Sequence, residues 1–307
     1  MYVARFFPSG TVILTGGADF RLKIWSAETG TCAATLVGHR GAVNDVGVVD
    51  RGRNVVSAGN DGAVKLWDVG RSSVIHSFDE LGLGAINGFS LGVADRRSGG
   101  EPSVDAEQRE VGTDGKFVIV AGEGAGSGIG GGGNGDVGGG KVAGLVVKSR
   151  EKFFELPTPS PVNACLALDD RTFAYGLQDG VVAVADLRNL KASLHAEKES
   201  RGAVLTLSPF RSGGFLVGTQ DGSAFYVPSK VYTSATTTMM PTASISASTS
   251  GVDANFAGNA LLELTGPESD PVYRVAAQGR NVVYTACRDG CVRKYLIDEE
   301  LVAGVES

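Results

Sequence analysis

Gly38-His39, Ser57, Asp61-Gly62 and Trp67-Asp68 follow one another in the stretch GHRGAVNDVGVVDRGRNVVSAGNDGAVKLWD, residues 38–68. The Asp-Gly step recurs at Asp179-Gly180, Asp221-Gly222 and Asp289-Gly290, and Asp19 fills its slot in an earlier copy. A second marker keeps the same register. The triplets Ala42-Val43-Asn44, Ala85-Ile86-Asn87, Pro161-Val162-Asn163, Ala203-Val204-Leu205 and Pro271-Val272-Tyr273 each open an apolar run. Asp-Gly follows its triplet by 18 or 19 residues in the four copies that carry both. A period of about 40–45 residues with GH and WD marks is the signature of a β-propeller built from four-stranded blades.

Between the markers lie six β-rich runs: VILTGG, NVVSAG, FVIVAG, TFAYGL, GFLVGT and NVVYTA. Each precedes a second such run (LKIWS, VKLWD, VAGLVV, VAVAD, SAFYV or VRKYL), as expected for the second and third strands of a blade. Asp-Gly between them suits a tight hairpin, where glycine accepts positive φ. The triplets are spaced by 43, 76, 42 and 68 residues, so two copies carry inserts. Residues 94–113 are polar and charged, 122–140 are glycine-rich, and 229–259 contain a Ser/Thr tract. Such segments bury too little apolar surface to offset chain ordering, and mobile loops are expected there. The Ser/Thr tract also offers hydroxyls for phosphorylation. Six periods of about 42 residues plus the inserts fill the 307 residues. The expectation is therefore one all-β domain over 1–307, a propeller of six four-stranded blades. The first copy's triplet would fall before Met1. This implies an N-terminally shortened seven-bladed ring or an imperfectly closed six-bladed one.

Composition narrows the function. The net charge of −6 and a pI near 5.2 do not provide the basic face that tracks phosphates. Cys32, Cys165, Cys287 and Cys291 are dispersed without a CxxC pair, and only His39, His76 and His195 could join them. Neither a disulfide framework nor a zinc site is expected, and no cofactor is implied. The N-terminus MYVARFFPSG has no sustained apolar stretch, and no run approaches the ~18 apolar residues of a membrane span. A soluble protein of the cytosol, the nucleus or both is expected.

Ser57, His39 and Asp61 invite comparison with a hydrolytic triad. The pattern resembles WD-repeat proteins instead, in which a turn His, a second-strand Ser or Thr, the turn Asp and a third-strand Trp form a buried network. Here that network is His39, Ser57, Asp61 and Trp67, at about 1 kcal/mol net per bond. Thr15, Asp19 and Trp25 fill three of its slots in the first copy, while Ala185, Tyr226 and Tyr295 lie at or near the Trp slot later. Gly126–Gly131 matches GxGxxG after a strand. A dinucleotide fold needs a helix next, and more glycine follows instead. GGNGD at 132–136 misses the calcium-turn spacing by one residue. Ala185-Asp186-Leu187-Arg188 resembles the WDxR box that docks some WD-repeat proteins onto a cullin-ligase adaptor, but lacks its Trp. A strand-end polar cluster is the simpler reading.

The most specific runs are VDRGRNVVSAGNDGAVKLWDVGRS (49–72), REVGT (109–113), GTQDG (218–222), ELTGPESDPVYRVA (263–276) and RDGCVRKY (288–295). These resemble the proteasomal ATPase-associated factor family. The resemblance implies a non-catalytic WD-repeat scaffold that binds an ATPase subunit of the proteasome regulatory particle and assists base assembly. The alternative is a substrate receptor of a cullin-type ubiquitin ligase. Neither nucleic acid nor membrane is an expected partner, and a monomer is expected outside the complex. On a propeller, the turns after the second strands lie beside the first residues of the inner strands. This brings Asn44, Asn87, Asn163 and Tyr273 next to Asn60, Gln178, Gln220 and Arg288, with Arg40 close by. Part of that set is expected to contact the partner, with Arg288 and Tyr273 favoured because interface hot spots favour Arg and Tyr.

Overall fold

The computed structural model describes residues 1–93, 109–124, 139–198, 202–211, 213–229, 243–246, 262–265 and 270–297. Its contacts divide the chain into two compact units, Met1–Val162 and Asn163–Ser307. Every regular element among the described residues is a strand.

The first unit contains three four-stranded sheets, each ordered as the chain runs. They are β1 (Val3–Phe6), β2 (Val12–Gly16), β3 (Arg21–Ser26) and β4 (Cys32–Val37); β5 (Val43–Val49), β6 (Asn54–Gly59), β7 (Val64–Asp68) and β8 (Ser73–Phe78); and β9 (Leu83–Val93), β10 (Lys116–Gly124), β11 (Gly140–Val146) and β12 (Lys152–Thr158). The second unit opens with a fourth such sheet, β13 (Val162–Ala167), β14 (Thr172–Leu177), β15 (Val181–Asp186) and β16 (Asn189–Lys198). The fifth sheet runs β17 (Val204–Phe210), β18 (Gly214–Thr219), β19 (Ala224–Val227), then β21 (Leu262–Thr265) and β20 (Ala243–Ser246). The last holds β22 (Val272–Gln278), β23 (Val282–Cys287) and β24 (Val292–Leu296). Six sheets, one per repeat, make this an all-β propeller fold.

Not every blade has four strands. The fifth has five and the sixth has three among the described residues. The Ser/Thr insert enters inside the fifth blade, before its fourth strand, and contributes β20, which pairs with β21 in parallel. Four-residue strands such as ASIS and LELT are too short for their alternation to show in sequence. The glycine-rich insert is shorter than 122–140, because β10 continues to Gly124 and β11 begins at Gly140. Apart from residues 109–113, 139 and 229, the remainder of the three inserts, with the GxGxxG and GGNGD matches, lies outside the described residues.

Consecutive apolar residues in the middle strands serve two cores at once, because alternate side chains leave opposite faces. All of β6 and β7 is buried. Val55 and Trp67 pack with Leu14, Leu22, Ile24 and Leu36 of the first blade. Val56, Ala58, Val64 and Leu66 pack with Val118, Val120, Ala143 and Leu145 of the third. In the second unit, Phe215, Val217 and Phe225 join Ala174, Val182 and Val184, while Leu216 and Tyr226 join Val283 and Tyr295.

The Asp-Gly hairpins close as three-residue loops. In the second blade, Gly62 N–H donates to the Gly59 carbonyl at 3.2 Å, and Gly62 has φ of 71°. A Cβ there would lie 2.5 Å from the Leu83 carbonyl oxygen on the neighbouring blade. The first blade puts Phe20, with φ of 63°, in the slot after Asp19. A bulky side chain is strained in that region, by about 1–2 kcal/mol. Gly62→Ala is expected to cost about 2 kcal/mol, and Phe20→Gly to gain up to about 1 kcal/mol, since Phe20 is half exposed and little packing is lost. Urea unfolding checks both; equal midpoints for the two variants would contradict the shared slot.

Candidate interaction surface and the network beneath it

His39, Ser57, Asp61 and Trp67 meet inside the second blade. Trp67 Nε1–H donates to Ser57 Oγ at 2.8 Å, and Ser57 Oγ lies 2.6 Å from His39 Nε2. His39 Nδ1 is 2.8 Å from Asp61 Oδ2, which also accepts the Arg40 N–H at 2.8 Å. The donors thus run in one direction: indole to hydroxyl, hydroxyl to imidazole, imidazole to carboxylate. Ser57 and Trp67 are 0 % exposed and His39 is 6 % exposed. A nucleophile must reach its substrate, and this hydroxyl sits under an indole with both its donor and its acceptor roles occupied. The arrangement fastens the turn to the strands. Burial pushes the Asp61 carboxyl up, but hydrogen bonds from His39 and from the N–H groups of Arg40 and Ala63 outweigh it and hold it at about 2.

Other blades satisfy the same turn differently. In the first, Trp25 Nε1–H donates to Thr15 Oγ1 at 2.9 Å, and Asp19 pairs with Lys23 at 2.7 Å. In the sixth, Asp289 pairs with Arg293, again four residues on. In the fifth, the Thr219 hydroxyl donates to Asp221 at 2.6 Å. A further contact repeats on the backbone. The N–H groups of Asn60, Gln220 and Arg288 donate to the carbonyls of Ala42, Ala203 and Pro271 at 2.8, 2.9 and 3.0 Å. Each turn is thereby tied to the triplet that opens its own blade.

A model of the WD domain, G-beta repeat, matches residues 2–26 and 30–68. The chain carries WD repeats. It is 35% identical over 215 residues to "Proteasomal ATPase-associated factor 1" of Gallus gallus, covering 70% of this chain and 44% of that one. The Homo sapiens protein of that name is 36% identical over 216 residues, with the same shares. "26S proteasome regulatory subunit RPN14" of Saccharomyces cerevisiae is 31% identical over 224 residues, 69% of this chain and 49% of that one. The resemblance read from residues 49–72 and the other runs thus extends over most of the chain. The chain spans less than half the length of these relatives.

In this WD-repeat chain the polar residues around the turns divide into two groups. Asn44 Nδ2 donates to Asn60 Oδ1 and, at 2.8 Å, to the Ile86 carbonyl of the next blade. Asn163 Nδ2 donates likewise to the Val204 carbonyl at 3.1 Å. In both cases the acceptor is the middle residue of the following triplet, so the amide joins successive inner strands. Asn87 holds the same triplet position and is half-buried. Arg40 and Asn60 in the first unit are exposed, as are Gln178, Gln220 and Arg288 in the second. Tyr273 is 52% exposed. At the end of β15, the Arg188 guanidinium folds back onto Asp186, with Nε 3.0 Å from Oδ1. That cation is already paired inside its own loop.

Sequence reasoning missed a second fastener. Asn54, fully buried, donates to the carbonyls of Trp67 and Arg109 at 3.0 Å each and accepts the Val111 N–H at 2.7 Å. Arg150 pairs with the neighbouring Glu110 at 2.8 Å. Two of the runs that carry the family resemblance, 49–72 and REVGT, are joined by this one amide. An asparagine opening a strand is the only local signal, and it does not name its distant acceptor.

Ser57→Ala leaves Trp67 Nε1 and His39 Nε2 without their shared partner, at a cost of about 2–3 kcal/mol. Thr15→Ala, under the half-buried Trp25, is expected to cost less than half of that. Urea unfolding followed by tryptophan fluorescence ranks them; the reverse order would contradict the burial argument.

The Asp61 carboxyl, near 2 when folded against an ordinary 3.8, contributes stability above the ordinary value and loses it as pH falls through the folded one. The stability gap between the wild type and Asp61→Asn should narrow by about 2 kcal/mol from about pH 5 to about pH 2. Unfolding curves across that range test it, and a constant gap would contradict it.

Proposed function

We propose that the chain is a non-catalytic scaffold that binds an ATPase subunit of the proteasome regulatory particle and assists assembly of its base. One observation carries the non-catalytic reading: the Ser57-His39-Asp61 set is sealed beneath Trp67 and spent on fastening a turn. The partner comes from the relatives, whose names tie them to proteasomal ATPases and to the regulatory particle. We place the contact on exposed turn residues, foremost Arg288 and Tyr273, with Arg40, Asn60, Gln178 and Gln220 as further contributors. Large, amphipathic Tyr and Arg side chains supply most of the energy at protein interfaces. On this reading the chain acts in the cytosol or nucleus as a monomer until it meets its partner.

The test is capture of purified proteasomal ATPase subunits by the full chain. Arg288→Ala combined with Tyr273→Ala is expected to weaken capture by roughly tenfold or more, which is about 1.4 kcal/mol. The melting temperature should hold, because both side chains are exposed. Unchanged capture would move the contact elsewhere. Recovery of a ligase adaptor and cullin from native extract, without ATPase subunits, would replace the reading with the receptor alternative.

A further inference from the structure

Cys287 ends β23, Cys291 precedes β24, and the turn Arg288-Asp289-Gly290 joins them. Ala286 pairs with Val292 in register, and the Cys287 N–H donates to the Cys291 carbonyl at 3.2 Å. The two cysteines therefore oppose each other across the mouth of the hairpin. Directly opposed residues of an antiparallel pair have Cα atoms roughly 4.5–5.5 Å apart. That lies inside the roughly 4.4–6.8 Å span a disulfide bridges. Both thiols are free; Cys287 is buried and Cys291 exposed.

Side chains and backbone bonds hold the turn between the two cysteines in place. Arg293 pairs with the Asp289 carboxylate of the turn, and the Cys287 thiol donates to Thr285 Oγ1 at 3.8 Å. Arg293 Nη1 is buried without a hydrogen-bond partner. Asp289 meanwhile fixes the loop by accepting the Cys291 N–H at 2.8 Å. The fold itself does not require cysteine here. The equivalent pairs Gly59–Ala63 and Thr219–Ser223 make the same backbone bond at 3.3 and 3.0 Å with no sulfur.

We propose that Cys287 and Cys291 form a reversible disulfide, a redox modification site that locks the turn bearing Arg288. With hydrogen peroxide as oxidant, the accessible Cys291 thiolate attacks a peroxide oxygen. The O–O bond breaks, giving a sulfenic acid and a hydroxide that takes up a proton. The Cys287 thiolate then attacks the sulfenic sulfur and expels a second hydroxide, which is likewise protonated. Two thiols and one peroxide become one disulfide and two waters. An exposed bond of this kind is of the labile class that small thiols reduce again. The site stands whether or not the turn contacts a partner.

The experiment treats the reduced full chain with hydrogen peroxide, blocks remaining thiols with iodoacetamide, and maps tryptic peptides without reductant. Trypsin cuts after Arg288, inside the loop, so the bond holds together two peptides that separate on reduction. The expected result is that Cys287 and Cys291 lose alkylation together as this linked pair, and that dithiothreitol restores both. Cys291→Ser, at an exposed position, should abolish the linked pair and leave Cys287 open to alkylation. Oxidation of Cys291 to the sulfinic acid while wild-type Cys287 stays alkylatable would overturn the proposal. So would linkage of either cysteine to Cys32 or Cys165 in preference to each other.

Discussion

A carboxylate at the tip of a β-hairpin has to be satisfied, and in this chain the way it is satisfied sets how firmly each blade is tied. The turn Asp closes its own loop by accepting the N–H two residues on: Ala63, Val181, Ser223 and Cys291 at 3.3, 3.4, 3.1 and 2.8 Å. Its remaining lone pairs take whatever the blade offers. Where a Gly-His turn precedes the blade, His39 claims Asp61, and Lys65 turns instead to Ser77. In the first and sixth blades, where no such His is described, the cation four residues on takes its place, as Lys23 does for Asp19 and Arg293 for Asp289. The consequence is read in the third-strand aromatic. Trp67, above the His-Ser pair, is sealed from solvent, while Trp25, above Thr15 alone, stays half-buried.

This substitution of partners explains what could be read in advance. The blade period, the paired strands and the Ser57-centred network all rest on local spacing, which a single chain displays. The i,i+4 pairs Asp19–Lys23 and Asp289–Arg293 were equally local and only needed the register to be noticed. The outer strands were harder. β4 and β12 alternate weakly, with most residues exposed, and β21 joins its sheet only after a long insert. A strand whose apolar side chains have no adjoining blade on one face carries little pattern. Asn54 was illegible for a different reason: its partners at Arg109 and Val111 lie more than fifty residues away, and side-chain amides carry no address.

The same distinction between local and distant partners separates fasteners from surface. Asn44 and Asn163 were read as exposed amides because their triplets sit beside the turns, and they do sit there. Their donors are nevertheless committed to the carbonyls of Ile86 and Val204. The N–H that ties two inner strands cannot be given to a visiting protein without breaking that tie, which costs more than a rim contact returns. Contact capacity therefore moves to positions where the repeat departs from asparagine. Tyr273 occupies that triplet position in the last blade with an exposed ring, and Arg288, whose backbone N–H is tied to the Pro271 carbonyl, has an exposed side chain. Departure from the repeat at a tied position is thus a better guide to the working surface than polarity, because polarity is what the ties themselves require.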